Sequence, residues 1–330
     1  MNRQLDLSLL SKYRDVLMGL GIIEVMIGHA FLWNCPDSLF YKILSYVYIV
    51  FTQGFLVLSG IGLYFSFKRN KSIIDFYKRR VYRLFIPYLI MSIPLVGAIM
   101  IIENSFDLVS YIGWITAIGY FIPGLQNNMW YVALIIILYI IFPLLFYILE
   151  RNNYIKNAII LIAGSILIAY FIKLKYPSYF DSRCNVYYHI PSFIIGILIG
   201  KWVYQGIKLN MLYVYSILLS MMLVVKFVID KYIGSLYFMG VYRLFLLLSL
   251  IFIINRYKTT ISKTTEKCLK WFGKYTLELY VLHEMLKYII MPISLFPIWI
   301  NTIIIMILSV SICMPLNKIL LKISDKLIQK

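Results

Sequence analysis

The chain has 330 residues, of which 62% are apolar and only 14% charged, well below the roughly 25% charged content of soluble domains. Apolar runs of about 17–25 residues, long enough to cross a bilayer as helices, recur along its whole length, and no polar stretch exceeds about twenty residues, so no separate soluble domain is expected. The net charge of +18 does not point to nucleic acid, because no soluble basic module carries it; Lys and Arg gathered in the loops of a multispan protein account for it.

The first apolar run, near 16–33, lacks a small-residue cleavage site and is too long for the core of a signal peptide, so it reads as a retained span. Further spans are expected near 45–67, 84–102, 129–149, 157–173, 187–204, 211–229, 238–254, 273–292 and 295–316. The fold class that follows is all-α: a polytopic integral membrane protein of about ten transmembrane helices. Loop charge sets its orientation. Lys68, Arg69, Lys71, Lys78, Arg79, Arg80 and Arg83 fall in one loop, and Arg256, Lys258, Lys263, Lys267, Lys270 and Lys274 in another. Lys318, Lys322, Lys326 and Lys330 fall in the tail. All three segments belong in the cytoplasm, whereas residues 103–128, with Glu103 and Asp107 and no Lys or Arg, belong outside. The apolar segment 109–122 would invert every later loop if it crossed. Its fourteen residues reach only about 21 Å as a helix, so a re-entrant or interfacial helix is expected, with both termini cytoplasmic.

Many of the 29 tyrosines and 6 tryptophans lie near span ends, as an interfacial belt requires. Gly196 and Gly200 have the spacing of close helix packing. Cys35 and Cys184 both fall in outer loops, where an oxidising compartment allows them to pair; Cys268 and Cys313 read as inert thiols. No CxxC or His/Cys cluster suggests a metal site, and GxSxG, P-loop and HExxH motifs are absent.

Polar residues inside spans are costly and therefore informative. His29, in the first span, stands about 22 Å above Arg14, in the outer half of the membrane. It is either a general base or a histidine hydrogen-bonded to a neighbouring helix. Glu24 lies about 140° from it around the helix, so the two share no face. Arg80 and Arg83, with Arg79, form a guanidinium cluster that suits a phosphate ligand or simply marks a cytoplasmic helix end. His189, preceding Pro191, lies near the outer face with Arg183 close in sequence; His283 stands beside Glu284 and five residues after Glu278; and Arg243 sits inside the eighth span.

In order along the chain, these segments resemble the membrane acyltransferase 3 (O-acetyltransferase) family. Tyr13-Arg14-Asp15-Val16 through Gly28-His29-Ala30 looks like its opening span. Phe55-Leu56-Val57-Leu58-Ser59-Gly60 is similar to its FFVLSG segment, and Arg80 to Arg83 with Pro87 to its RxxR stretch. Trp130-Tyr131 with Tyr139 and Pro143 resembles its tryptophan-led span, Phe193 to Gly200 its FxxGxxxG span, and Gly273-Lys274 through Tyr280 to His283 its closing motif. Met18 stands where many members carry an arginine, and Arg14, one turn earlier, is the nearest substitute.

The resemblance implies a single transmembrane acyltransferase domain over 1–330 in a bacterial inner membrane. It implies acyl transfer, most often acetyl, from cytoplasmic acyl-CoA to a hydroxyl of a cell-surface or lipid-linked glycan, with no permanently bound cofactor. His29 is then the catalytic base, and Arg80, Arg83, Arg79 and Arg14 hold the CoA phosphates. Glu24, His189, Arg183 and His283 are supporting residues, and no metal is involved. The competing reading from composition is a transporter or flippase of a lipid-linked sugar, which would show internal repeats; none is evident by eye.

Overall fold

A computed structural model describes residues 4–125, 129–229, 232, 236–257 and 261–328, with the side chains of 236 and 319–328 excluded; Lys258, Lys322, Lys326 and Lys330 of the basic segments therefore lie outside the described side chains. In chain order, β1 (Gln4–Leu5) and α1 (Ser8–Lys12) precede α2 (Arg14–Asn34), α3 (Leu39–Val47) and α4 (Phe51–Arg69). Then come α5 (Ile73–Arg80), a π-helical turn (Val81–Phe85), α6 (Ile86–Ile102), α7 (Leu108–Ile115) and a 3-10 turn (Ile118–Phe121). They are followed by α8 (Trp130–Glu150), α9 (Tyr154–Lys175), α10 (Pro177–Tyr204), β2 (Leu209–Asn210) and α11 (Met211–Val224). The chain ends in α12 (Leu236–Tyr257), α13 (Lys263–Lys274), α14 (Thr276–Ile293) and α15 (Ile298–Ile328). The one sheet among the described residues is the antiparallel β1–β2 pair.

The protein is all-α and polytopic. Among the described residues, nine helical segments are long and apolar enough to cross a membrane. The one expected span not among these nine, the ninth at 273–292, corresponds to α14, whose 18 residues include Glu278, Glu284 and Lys287, too many charges for a lipid-facing span. The segment expected not to cross is short: α7 and the 3-10 turn are separated by Ala117 in the left-handed region (φ 61°), and neither approaches bilayer length.

Burial separates the helices into inner and outer sets. α9 presents Ile159, Ile160, Leu167, Ile168 and Phe171 outward, an apolar face that only lipid would cover without cost. α4 is buried along most of its length and crosses α10 at a notch of small residues. A Cβ on Gly60 would come within 2.7 Å of the Phe193 carbonyl, and one on Gly196 would strike the Val57 carbonyl, so only glycine permits this approach.

Two irregularities shape the interior. The first is the π-helical turn before α6. Pro87 has no N–H to continue the ladder, and the Ile86 N–H bonds the Val81 carbonyl five residues back. The second is the break between α3 and α4, where Phe51 has φ 33°. The backbone N–H groups of Ile49, Val50 and Phe51 at this break all donate to the Glu24 carboxylate, at 3.0, 3.0 and 2.8 Å. A carboxylate thus satisfies donors at the start of a buried helix that has no water to serve them. The four cysteines are all free, Cys35 and Cys184 included.

Candidate active site

α2 and α14 pack side by side and bring three polar side chains together. His29 Nδ1 lies 2.5 Å from Glu284 Oε1 and 2.9 Å from His283 Nε2. His283 Nδ1 lies 2.7 Å from the Leu279 carbonyl oxygen, which can only accept, so the neutral ring carries its proton on Nδ1 and offers Nε2 as an acceptor. The Nδ1–H of His29 therefore faces two acceptors, a carboxylate and an imidazole. Its own Nε2 is left as the basic nitrogen, the tautomer following from these partners. The His29 side chain is 19% exposed while His283 is fully buried, so only the first can meet a substrate. Trp33, one turn above, stacks on the His29 ring at 5.9 Å.

His29, His283 and Glu284 also offer metal-ligating atoms within 4.8 Å of one another. Two ligands of a tetrahedral zinc sit about 3.3 Å apart, given bonds of about 2.0–2.1 Å. The 2.5 and 2.9 Å separations are shorter than that, and fit hydrogen bonds.

Below this cluster runs a cavity of about 300 Å³. Its basic end is formed by Arg14, Arg80, Arg83 and Lys274, and its roof by Val25, Thr52, Tyr131 and Tyr280. Val25 is one helical turn from His29, and Tyr280 one turn from Glu284, about 6 Å in each case. The Tyr280 ring packs edge-on against His283 at 5.8 Å and lies 5.4 Å from the Tyr131 ring. A second cavity of about 330 Å³ shares Arg14, Arg80, Arg83 and Tyr139 with the first and adds Arg69. The Arg80 guanidinium lies over Tyr139 and Phe76, and its Nε has no partner. Positive charge is concentrated here: Arg14 pairs with Asp15 at 3.4 Å, and among the described residues no carboxylate lines either cavity.

Other residues singled out by sequence are placed differently. Arg79 does not line either cavity; its Nε and Nη2 are buried without partners on another side of α5. Glu24 is the helix cap described above and does not touch His29. Arg243 of α12 donates to Gln53 Oε1 at 2.5 Å, lies 4.5 Å from the Phe51 ring, and attracts Glu24 across that break. His189 is buried and does not line the cavity. Its Nδ1–H donates to the Asn185 carbonyl at 2.6 Å, and its Nε2 accepts the Thr52 hydroxyl at 2.9 Å, so Thr52 is its only reach into the cavity roof. Arg183 donates to the carbonyls of Tyr120 and Ile122 and to Ser182 Oγ, which ties the segment after α7 to α10. Asp107, outside the spans, caps α7 by accepting the Ser110 N–H at 2.7 Å, a bond that holds its carboxyl below the usual range. Arg14 lines both cavities, one turn below Met18, which lines the first.

The residue that sequence reading left without a role is Glu284, noted only as a neighbour of His283. Its signal was present: a second carboxylate in an otherwise apolar span is expensive unless something uses it.

A comparison with known families matches residues 12–318 to the acyltransferase 3 family, described as an acyltransferase domain. No curated protein and no solved structure shows a significant match to the chain.

Proposed function

The chain belongs to the acyltransferase 3 family, whose match spans nearly its whole length, and from that premise we propose that it transfers an acetyl group from acyl-CoA to a hydroxyl of a cell-surface or lipid-linked glycan. The observation that carries this reading is the His29–Glu284 contact, set one helical turn above a cavity whose opposite end is lined by Arg14, Arg80 and Arg83. The basic end, with its Lys- and Arg-rich loops, faces the cytoplasm of a bacterial cell and admits CoA there. Arg80 and Arg83 grip the CoA phosphates, with Arg14 and Arg69 beside them, since guanidinium forks match phosphate oxygens. The thin pantetheine arm follows the cavity upward and carries the thioester toward His29.

There His29 Nε2 takes the proton of the acceptor hydroxyl as its oxygen attacks the thioester carbon. The C–O bond forms and the C–S bond breaks. The departing CoA thiolate recovers the proton from the imidazolium. Glu284 holds the His29 ring in the reactive tautomer and stabilises its positive charge between the two proton transfers. His283, with its own proton committed to Leu279, keeps the pair aligned. Neither a covalent acyl-enzyme nor a metal enters this scheme.

The test uses the purified full chain in nanodiscs with labelled acetyl-CoA and a cell-envelope glycan fraction. Acetylated glycan and free CoA should appear together and vanish in His29→Ala. Movement of a lipid-linked sugar across the bilayer with no consumption of acetyl-CoA would replace this reading with the transporter.

A further inference from the structure

We propose that the cavity at the other end of α14 is the acceptor site and that it receives an uncharged sugar ring. This rests on the acyl-transfer reading above and adds the place and chemical class of the second substrate.

Tyr280, Glu284 and Tyr288 recur at four-residue spacing and so share one face of α14, each about 6 Å above the last. Tyr280 roofs the arginine-lined cavity, and Glu284 holds His29. Tyr288 lines a separate cavity of about 550 Å³, within the about 300–1,000 Å³ of small-ligand sites. One helix face thus runs from the donor cavity, past the base, to a second chamber on the opposite side of it. A reaction that joins two substrates at His29 needs that arrangement.

The walls of the chamber indicate what fits. Trp114 and Tyr288 meet edge-on at 5.8 Å, and Tyr120 adds a third ring. Aromatic faces of this kind suit the C–H faces of a pyranose, while Glu103 and Ser110 offer partners for its hydroxyls. Arg183 also borders the space, with three of its five N–H groups committed to the Tyr120 carbonyl, Ser182 Oγ and the Ile122 carbonyl. Glu103 on the same walls offsets the Arg183 charge, so the chamber presents no net positive charge to select a phosphate or carboxylate. A neutral hexose fits; a uronic acid or sugar phosphate does not.

The experiment offers a panel of methyl hexopyranosides, their octyl counterparts and the matching methyl uronosides, with labelled acetyl-CoA, to the full chain in nanodiscs. At least one neutral hexoside should be acetylated, with kcat/KM at least about tenfold above its uronoside. Ser110→Ala and Trp114→Phe should raise the KM for that hexoside about tenfold while the KM for acetyl-CoA stays within about twofold. Glu103→Gln, at an exposed position, should narrow the gap between hexoside and uronoside. The ratio of octyl to methyl activity tells a lipid-carried sugar from a free glycan, and either ratio supports the site. Hexoside KM unchanged in all three variants, uronosides acetylated equally well, or acetyl-CoA slowly hydrolysed with no hexoside acetylated would each overturn the proposal. Failure of the wild-type protein to bind or consume acetyl-CoA at all would instead sink the acyl-transfer reading.

Discussion

Glu284 reaches His29 from a different helix, its Oε1 2.5 Å from the imidazole Nδ1, 255 positions away in the chain. A general base contributes about 10²–10⁴ in rate. His29→Ala should therefore lower kcat by about that factor, and Glu284→Gln, which keeps the shape but lets the amide donate toward Nδ1, should lose much of it by favouring the wrong tautomer. Acetyl-CoA turnover measures both, with thermal melting in detergent to show that the fold survives. Full activity in Glu284→Gln would leave the carboxylate a packing partner only.

The arginines separate by the cavity they line. Arg80 and Arg83 face the proposed donor site and Arg79 does not. A hydrogen bond to a charged group contributes about 1.5–3 kcal/mol. Arg80→Ala and Arg83→Ala should each raise the KM for acetyl-CoA about tenfold or more, with a smaller change in kcat, while Arg79→Ala should change it little. Steady-state kinetics with acetyl-CoA varied gives the answer. An Arg79→Ala effect equal to the other two would mean that the charge acts at long range and not by contact.

The sequence carries the membrane class and most of the span positions, because a run of apolar residues matched to bilayer thickness needs no tertiary information. It also marks His29, Arg80 and Arg83 by cost and spacing. It does not carry the pairing of His29 with Glu284, since contact between α2 and α14 depends on how helices pack and not on local pattern. Glu24 illustrates the same limit. Around the helix it points away from His29, as its 140° offset requires, but its partners are three backbone N–H groups at a break that no residue pattern in 45–67 announces. Arg79 and Arg80 are adjacent in sequence, and the helix turns one toward the cavity and the other away.

Glu24 gives a prediction of its own. Its carboxylate serves three backbone donors in the membrane interior, where each unsatisfied group costs about 1–3 kcal/mol. Glu24→Ala should lower the melting temperature of the detergent-solubilised protein by several degrees, whereas Glu24→Gln, which retains one acceptor oxygen, should lower it less. The KM for acetyl-CoA of the protein that remains folded should be unchanged in both. A melting curve for Glu24→Ala that overlays the wild type would remove the cap.

The contact between α2 and α13 sets the basic end of the donor cavity and is made through glycine on both helices. A Cβ added to Gly19 would strike the Leu269 carbonyl, and one added to Gly273 would strike the Asp15 carbonyl, backbone against backbone in both directions. No side-chain rotation relieves such a clash, so the helices must separate. Arg14 and Met18 on α2 and Lys274 at the end of α13 line the cavity around this crossing. Gly19→Ala or Gly273→Ala should therefore widen the donor site as well as loosen the bundle. The expected outcome is a lowered melting temperature together with a KM for acetyl-CoA raised several-fold, even though neither glycine carries a group that binds CoA. Gly164→Ala, where an added Cβ meets nothing within 4 Å, is the matched control and should change neither quantity. Equal behaviour of the three variants would show that the two helices part without disturbing the site.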